Sequence, residues 1–315
     1  MAQKLIAGRA SLDVRALSRT LRRWRTNSDL SLSELGDKVN CSGAKLSQLS
    51  TAVMHPSPSE VLKIGTACGV SDEEIDLCAR VAQRALDPQT WDRLNGHASA
   101  QLKWTSDEVL EEASEVVIVA ADVLPDIVRV DAYDHALQEA YEDVDDLDLT
   151  VRQRALRRSA LTAKEAARRS DLERLRVRLI VAEPVLNVSL GTRVMSEQLG
   201  HLEELNQQPG FKLSIIDSET PPCFGTGASF TVMRFLEERF DDVVLLRTLH
   251  GGDTWLEPSI ERAPYERALA ALDDVARSKE ESSRWLSRAR LRLQEPLPSK
   301  GSGSHLSLIS DKPRT

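Results

Sequence analysis

Residues 42–51 read SGAKLSQLST. On a helix Leu46 and Leu49 share one face and require a core. Ser42, Gly43, Ala44, Lys45, Ser47, Gln48 and Thr51 are then left to face outwards. These types suit contact with the edges of base pairs. Small residues let a helix sink into a major groove, Gln48 can pair with adenine N6 and N7, and Lys45 can reach a guanine edge or a phosphate. The Ser47 hydroxyl can bond to base or backbone. A second set lies upstream, where Arg15, Arg19 and Arg22 fall opposite Leu17, Leu21 and Trp24. The apolar stripe wants a core, and the arginine stripe is free for phosphates.

Other chemistries fare worse. Cys223, His250 and Asp253 form a conceivable nucleophile, base and orienter. Cys223 follows Pro221 and Pro222, however, with no helix N-terminus to lower its pKa, and His250 stands at a Gly-Gly turn. The six histidines and four cysteines show no metal-ligand spacing, and no phosphate-binding glycine loop occurs. The expectation is a protein that is not an enzyme and has no metal or cofactor. Tyr133, Phe224, Phe230, Arg234 and Trp255 could line a ligand pocket with one cationic anchor. The competing reading is that these aromatics fill the core of a sheet.

The elements that must position the first set can be read from caps and periodicity. A first helix spans 11–26. Ser31 and Glu34 form a capping box for a second helix with Leu32, Leu35 and Val39 buried, and Gly36 allows a tight helix crossing. Ser42 caps the third helix. Ser57 or Ser59 caps a fourth, with Val61, Leu62, Ile64 and Ala67 inward and Gly69 ending it. Ser71 and Glu74 open a fifth.

Charge divides the chain of 315 residues in the same way. The net charge is -8, yet residues 1–50 carry nine Lys and Arg against four Asp and Glu. Residues 105–150 hold fifteen acids and one base, and residues 151–180 reverse to ten bases and three acids. A basic head on an acidic body points to a localised contact with nucleic acid. The start of the chain is not read as a signal peptide, and the longest apolar run is too short to span a bilayer, so a cytoplasmic protein without membrane contact is expected.

Beyond Asp87-Pro88 the pattern reads as a linker over 87–104, a helix over 105–121, and a helix carrying Tyr133, Leu137 and Tyr141. A long arginine-rich helix covers 151–178, followed by another over 193–207. FKLSIID, SFTVMRF and DVVLLRTL read as strands, and Gly251-Gly252 as a hairpin turn before TWLEP. A helical stretch runs to Leu293, and the tail over 296–315 is expected to be disordered. The fold class is mainly α with a smaller α+β part, the latter holding a small antiparallel sheet.

The stretch LRRWRTNSDLSLSELGDKVNCSGAKLSQLS, with HPSPSEVLKIGTACGVSDEE after it, resembles the Cro/C1-type (XRE family) helix-turn-helix domain over about 12–85. The resemblance implies a five-helix, lambda-repressor-like head in residues 1–86, binding double-stranded DNA with the helix at 42–51 in the major groove. Ser50, Thr51 and Ala52 stand where that family often ends the helix with Glu-x-Gly. Residues 105–295 resemble the DUF5753 domain found behind such heads in actinobacterial regulators. The segments VLPDIVRVDAY, VMSEQLGHLEELNQQPGFKLSIID, GASFTVMRF, VVLLRTLHGGDTWLEP and ARSKEESSRWL carry this likeness in order. Asp126 and Arg129 depart from that family's usual PGLLQT loop. Together the resemblances imply a transcription regulator, working as a homodimer, whose C-terminal domain senses a small molecule or a small partner protein. The alternative is a protein-interaction scaffold whose helix-turn-helix binds DNA weakly or not at all.

Overall fold

In a computed structural model, residues 10–86, 109–110, 112–140, 175–237, 240–247, 253–257 and 259–294 are described. The expected linker, most of the arginine-rich helix, Tyr141, the Gly251-Gly252 turn and the tail lie outside these residues.

The head has five helices, α1 (Leu12–Asn27), α2 (Leu32–Val39), α3 (Gly43–Ser50), α4 (Pro58–Ala67) and α5 (Asp72–Leu86). Their starts follow the sequence caps. Ser11 Oγ accepts the Val14 N–H, and Ser31 with Glu34 closes a capping box. Ser42 Oγ accepts the Lys45 N–H. Of the two serines offered for α4, Ser57 is the cap, in a second capping box with Glu60. Leu17, Leu21, Trp24, Leu35, Val39, Leu46, Leu49, Val61 and Ile64 meet in one core. Leu62 was expected inward but is exposed at 43%, so Val61 and Ile64 carry the inner face of α4.

The body corrects the expected sheet. It is six-stranded and mixed, not small and antiparallel. Its strands are β1 (Glu115–Ala120), β2 (Arg176–Ala182), β3 (Phe211–Ile216), β4 (Phe230–Arg234), β5 (Val243–Arg247) and β6 (Asp253–Leu256), in spatial order 3-2-1-4-5-6. β1, β2 and β3 run parallel, while β4, β5 and β6 add antiparallel pairs. Residues 115–120, and 176–178 at the start of β2, were expected to be helical. Both are strands, because a central strand covered on both faces is apolar at consecutive positions and shows no alternation.

The remaining helices are α6 (Asp131–Ala140), the short α7 (Glu183–Leu186), α8 (Thr192–Gln207), α9 (Ser259–Val275) and α10 (Lys279–Gln294). α6, α8 and α10 cover one face through Tyr133, Leu137, Met195, Leu199, Leu202, Trp285 and Leu286. α9 covers the other through Ala268, Leu269 and Leu272. The stretch expected to be one helix up to Leu293 is thus two, on different structural duties, broken at 276–278.

Candidate nucleic-acid interface

The helix-turn-helix geometry comes from two small residues. Asn40 ends α2 at φ 51°, a left-handed conformation that asparagine tolerates. Gly36 sits where an added Cβ would lie 2.5 Å from the Cys41 carbonyl oxygen, so α2 and the turn can approach only without a side chain there. This sets α3 across α2, with Leu46 and Leu49 buried and Ser42, Ala44, Ser47 and Gln48 exposed. Gly43 and Thr51 are half-buried at its two ends. Thr51 turns its hydroxyl back to donate to the Ser47 carbonyl at 2.9 Å.

Lys45 is placed on the same helix but is not idle. Its Nζ lies 2.5 Å from Glu60 Oε1 on α4. The pairing raises the Lys45 pKa, chiefly through that bond. Burial works to raise the pKa of Glu60, but Lys45 and the Ser57 N–H and hydroxyl outweigh it and hold it below the usual value.

The arginine stripe of α1 requires a larger correction. It was expected to be free for phosphates, and instead it faces the body. Arg15 is 2% exposed and donates through Nε and Nη2 to Glu112 Oε2 at 3.1 and 2.6 Å. Arg19 donates to Glu112 Oε1 at 2.9 Å. The Arg15 guanidinium also lies over the rings of Phe235 and Phe240, 4.1 and 4.0 Å from their centroids. Burial pulls its pKa down, against the pull of Glu112. Only Arg22 stays exposed, and its Nη2 donates to the Ser50 carbonyl at the last turn of α3.

A small joint completes this clasp. Ala10 pairs with Phe240 in a parallel bridge, and Ala10, Val14, Ala52 and Phe240 form their own cluster. The Leu12 N–H donates to Glu257 Oε1 at 2.5 Å. Ala52 has a φ of 57°, the left-handed region that glycine takes without cost. Its methyl is spent in the joint, where it is 5% exposed, and a glycine would leave that contact unmade. No signal in the sequence marked Glu112, Phe235, Phe240 or Glu257.

The expected ligand pocket is not assembled. Tyr133 is fully buried on the α6 face of the sheet. Phe224 is 56% exposed and lies under the Arg267 guanidinium of α9, on the other side. Arg234 pairs with Glu115 and Glu266, and Trp255 packs at the edge of the Tyr133 core. The aromatics mostly fill cores, as large rings do. The two loop residues that depart from the resembled pattern each have an ionic partner. Asp126 receives Arg247 at 3.1 Å, and buried Arg129 pairs with buried Asp134 at 3.1 Å. Cys223 sits 3.5 Å from the Thr226 hydroxyl, and His250 lies outside the described residues. Among the described residues no group of three or more His, Cys, Asp or Glu could hold a metal ion, and no helix is long and apolar enough to cross a membrane.

Residues 16–77 match the family described as a helix-turn-helix domain. Residues 108–288 match the domain of unknown function DUF5753, which is more than half of the chain. No curated protein matches. Among solved structures, the crystal structure of the clp gene regulator ClgR from C. glutamicum is 26% identical, covering 22% of this chain and 91% of that one, with a TM-score of 0.21.

Proposed function

The chain belongs to the DUF5753 family, and with a helix-turn-helix domain set before that region we propose that it is a sequence-specific, DNA-binding regulator of transcription. The observation that carries this reading is the outer face of α3. Ser42, Ala44, Ser47 and Gln48 remain exposed with the body in place, and each is small or able to bond a base edge. α3 enters the major groove, Gln48 reads a base, and Arg22 and Lys45 approach phosphates. Two copies bind half-sites about 34 Å apart, one turn of the duplex. The protein works in the cytoplasm by binding, without catalysis, and the body relays a small molecule or a partner protein to the head.

The test is selection of bound sequences from random duplex DNA by the full-length protein. Enrichment of a two-fold symmetric site is expected. Gln48→Ala should then cost about 1–3 kcal/mol against the selected site and relax one base position in each half. Absence of any enriched sequence would refute the reading. In that case the scaffold reading gains, and one observation already favours it. Arg15, Arg19 and Lys45, three cations that would have faced phosphates, are each held by a carboxylate.

A further inference from the structure

Between head and body runs a cleft of about 490 Å³, bounded by α1, the end of α3 and the chain around Phe235 and Phe240. That volume falls in the range of small-molecule pockets, about 300–1,000 Å³. Its lining has two characters. Arg15, Arg19 and Arg22 bring three positive charges against the carboxylates of Glu112 and Glu237. Phe235, Phe240 and Leu236 supply apolar surface, and Leu236 is 64% exposed.

Two donors in this lining are unspent. Arg15 Nη1 and Ser18 Oγ are buried without a hydrogen-bond partner, and both residues are 2% exposed. Folded proteins seldom leave such atoms unmatched. Arg15 cannot shed its charge, so Nη1 remains a donor under all ordinary conditions.

We propose that this cleft binds a small organic anion, a carboxylate or phosphate head group on an apolar body, and that its binding loosens the clasp between head and body. The head group takes the open donors of Arg15 and Ser18 together with the guanidiniums of Arg19 and Arg22. The apolar part lies against Phe235 and Leu236. Glu112 already occupies the place of an anion here, bonded to both Arg15 and Arg19, so an incoming anion competes with it directly. Arg22 carries the effect onward. Its Nη2 holds the Ser50 carbonyl, and an anion that draws Arg22 away removes a bond from the last turn of α3. The regulatory meaning of this site rests on the reading of α3 as a DNA-reading helix, but the binding itself does not.

The test is an isothermal calorimetric titration of the full-length protein, without DNA, using phenyl phosphate as probe. Benzyl alcohol and inorganic phosphate are the controls. Phenyl phosphate should bind more tightly than either control. Glu112→Gln, which removes the competing charge, should tighten it about tenfold, and Arg19→Gln combined with Arg22→Gln should weaken it about tenfold. Binding unaffected by the arginine pair, or none in the wild type and in Glu112→Gln, overturns the proposal. So does equal binding of inorganic phosphate, which would leave the apolar surface without a part. If Glu112→Gln fails to fold, the wild type and the arginine pair decide the matter. Because the titration contains no DNA, a failure to select an operator sinks the regulator reading and leaves this result standing.

Discussion

Glu257→Gln isolates one carboxylate at the joint and gives a signed, pH-dependent outcome. Burial, helped by Asp13 and Asp241, pushes the Glu257 carboxyl from its usual 4.5 up to about 7, against the Leu12 N–H and Arg15, which favour the anion. The native state therefore holds a proton that the unfolded state has lost between those two values. Stability from this group is fully present below pH 4.5 and is lost as pH rises through 7. At about 1.4 kcal/mol per pH unit the displacement is worth about 3 kcal/mol, and about 2 once partial exposure to solvent is allowed for. Glutamine keeps an oxygen to accept the Leu12 N–H and has no charge to desolvate. The variant should match the wild type within a few tenths of a kcal/mol at pH 4.5 and exceed it by about 2 kcal/mol at pH 8. Hydrogen exchange of the α1 amides, corrected for intrinsic rates, measures this locally. Protection in the variant should be about 30-fold greater at pH 8 and nearly equal at the acid end. Parallel pH profiles in the two proteins would show that Glu257 does not titrate in this range, and the account of the joint would fall.

Three further outcomes follow from the contacts. Glu60→Gln preserves an acceptor for the capping box of α4 but frees Lys45, so non-specific DNA binding should tighten and its salt slope steepen by about one unit; an unchanged slope removes Lys45 from the phosphate contacts. Asp134→Ala removes the carboxylate that pairs with buried Arg129 and should cost about 3–5 kcal/mol in urea unfolding, while a cost below 1 would mean that the other partners of Arg129, the Leu124 carbonyl among them, suffice to hold it. Gly36→Ala drives a methyl into the Cys41 carbonyl and should destabilise the head by about 1–3 kcal/mol, a loss visible as a lower melting temperature of α1–α5.

What was legible in the sequence was local. The caps at Ser31, Ser42 and Ser57 and the buried pairs Leu35/Val39 and Leu46/Leu49 sit where spacing put them, because a cap and its helix lie within a few residues. The central strands were not legible. Val116–Ala120 and Leu179–Val181 are buried at every position, and an unbroken apolar run carries no period to tell strand from helix. The arginine stripe was read correctly as a face and wrongly as a free one. Its partner Glu112 lies 97 residues away, and nothing in a helical period can announce a contact at that distance. The proposed pocket failed for a related reason: Tyr133 and Phe224 occupy opposite sides of a sheet whose extent the sequence had understated.

The clasp also sets an order of events on the ribosome. α1 leaves the exit tunnel early, but Glu112 and Glu257 stand 97 and 245 residues further along the chain from Arg15 and Leu12. At about 5–20 residues per second the last of these partners arrives roughly 12–50 s after α1. We expect the head, rich in local contacts, to fold within that interval. During synthesis its arginine face is therefore uncovered until those carboxylates emerge. Chains stalled before residue 112 should cross-link to polyanions through Arg15 and Arg19, which Glu112 later holds, and chains released past residue 257 should not do so through these two residues. Equal cross-linking of both would mean that the clasp opens freely in the mature protein.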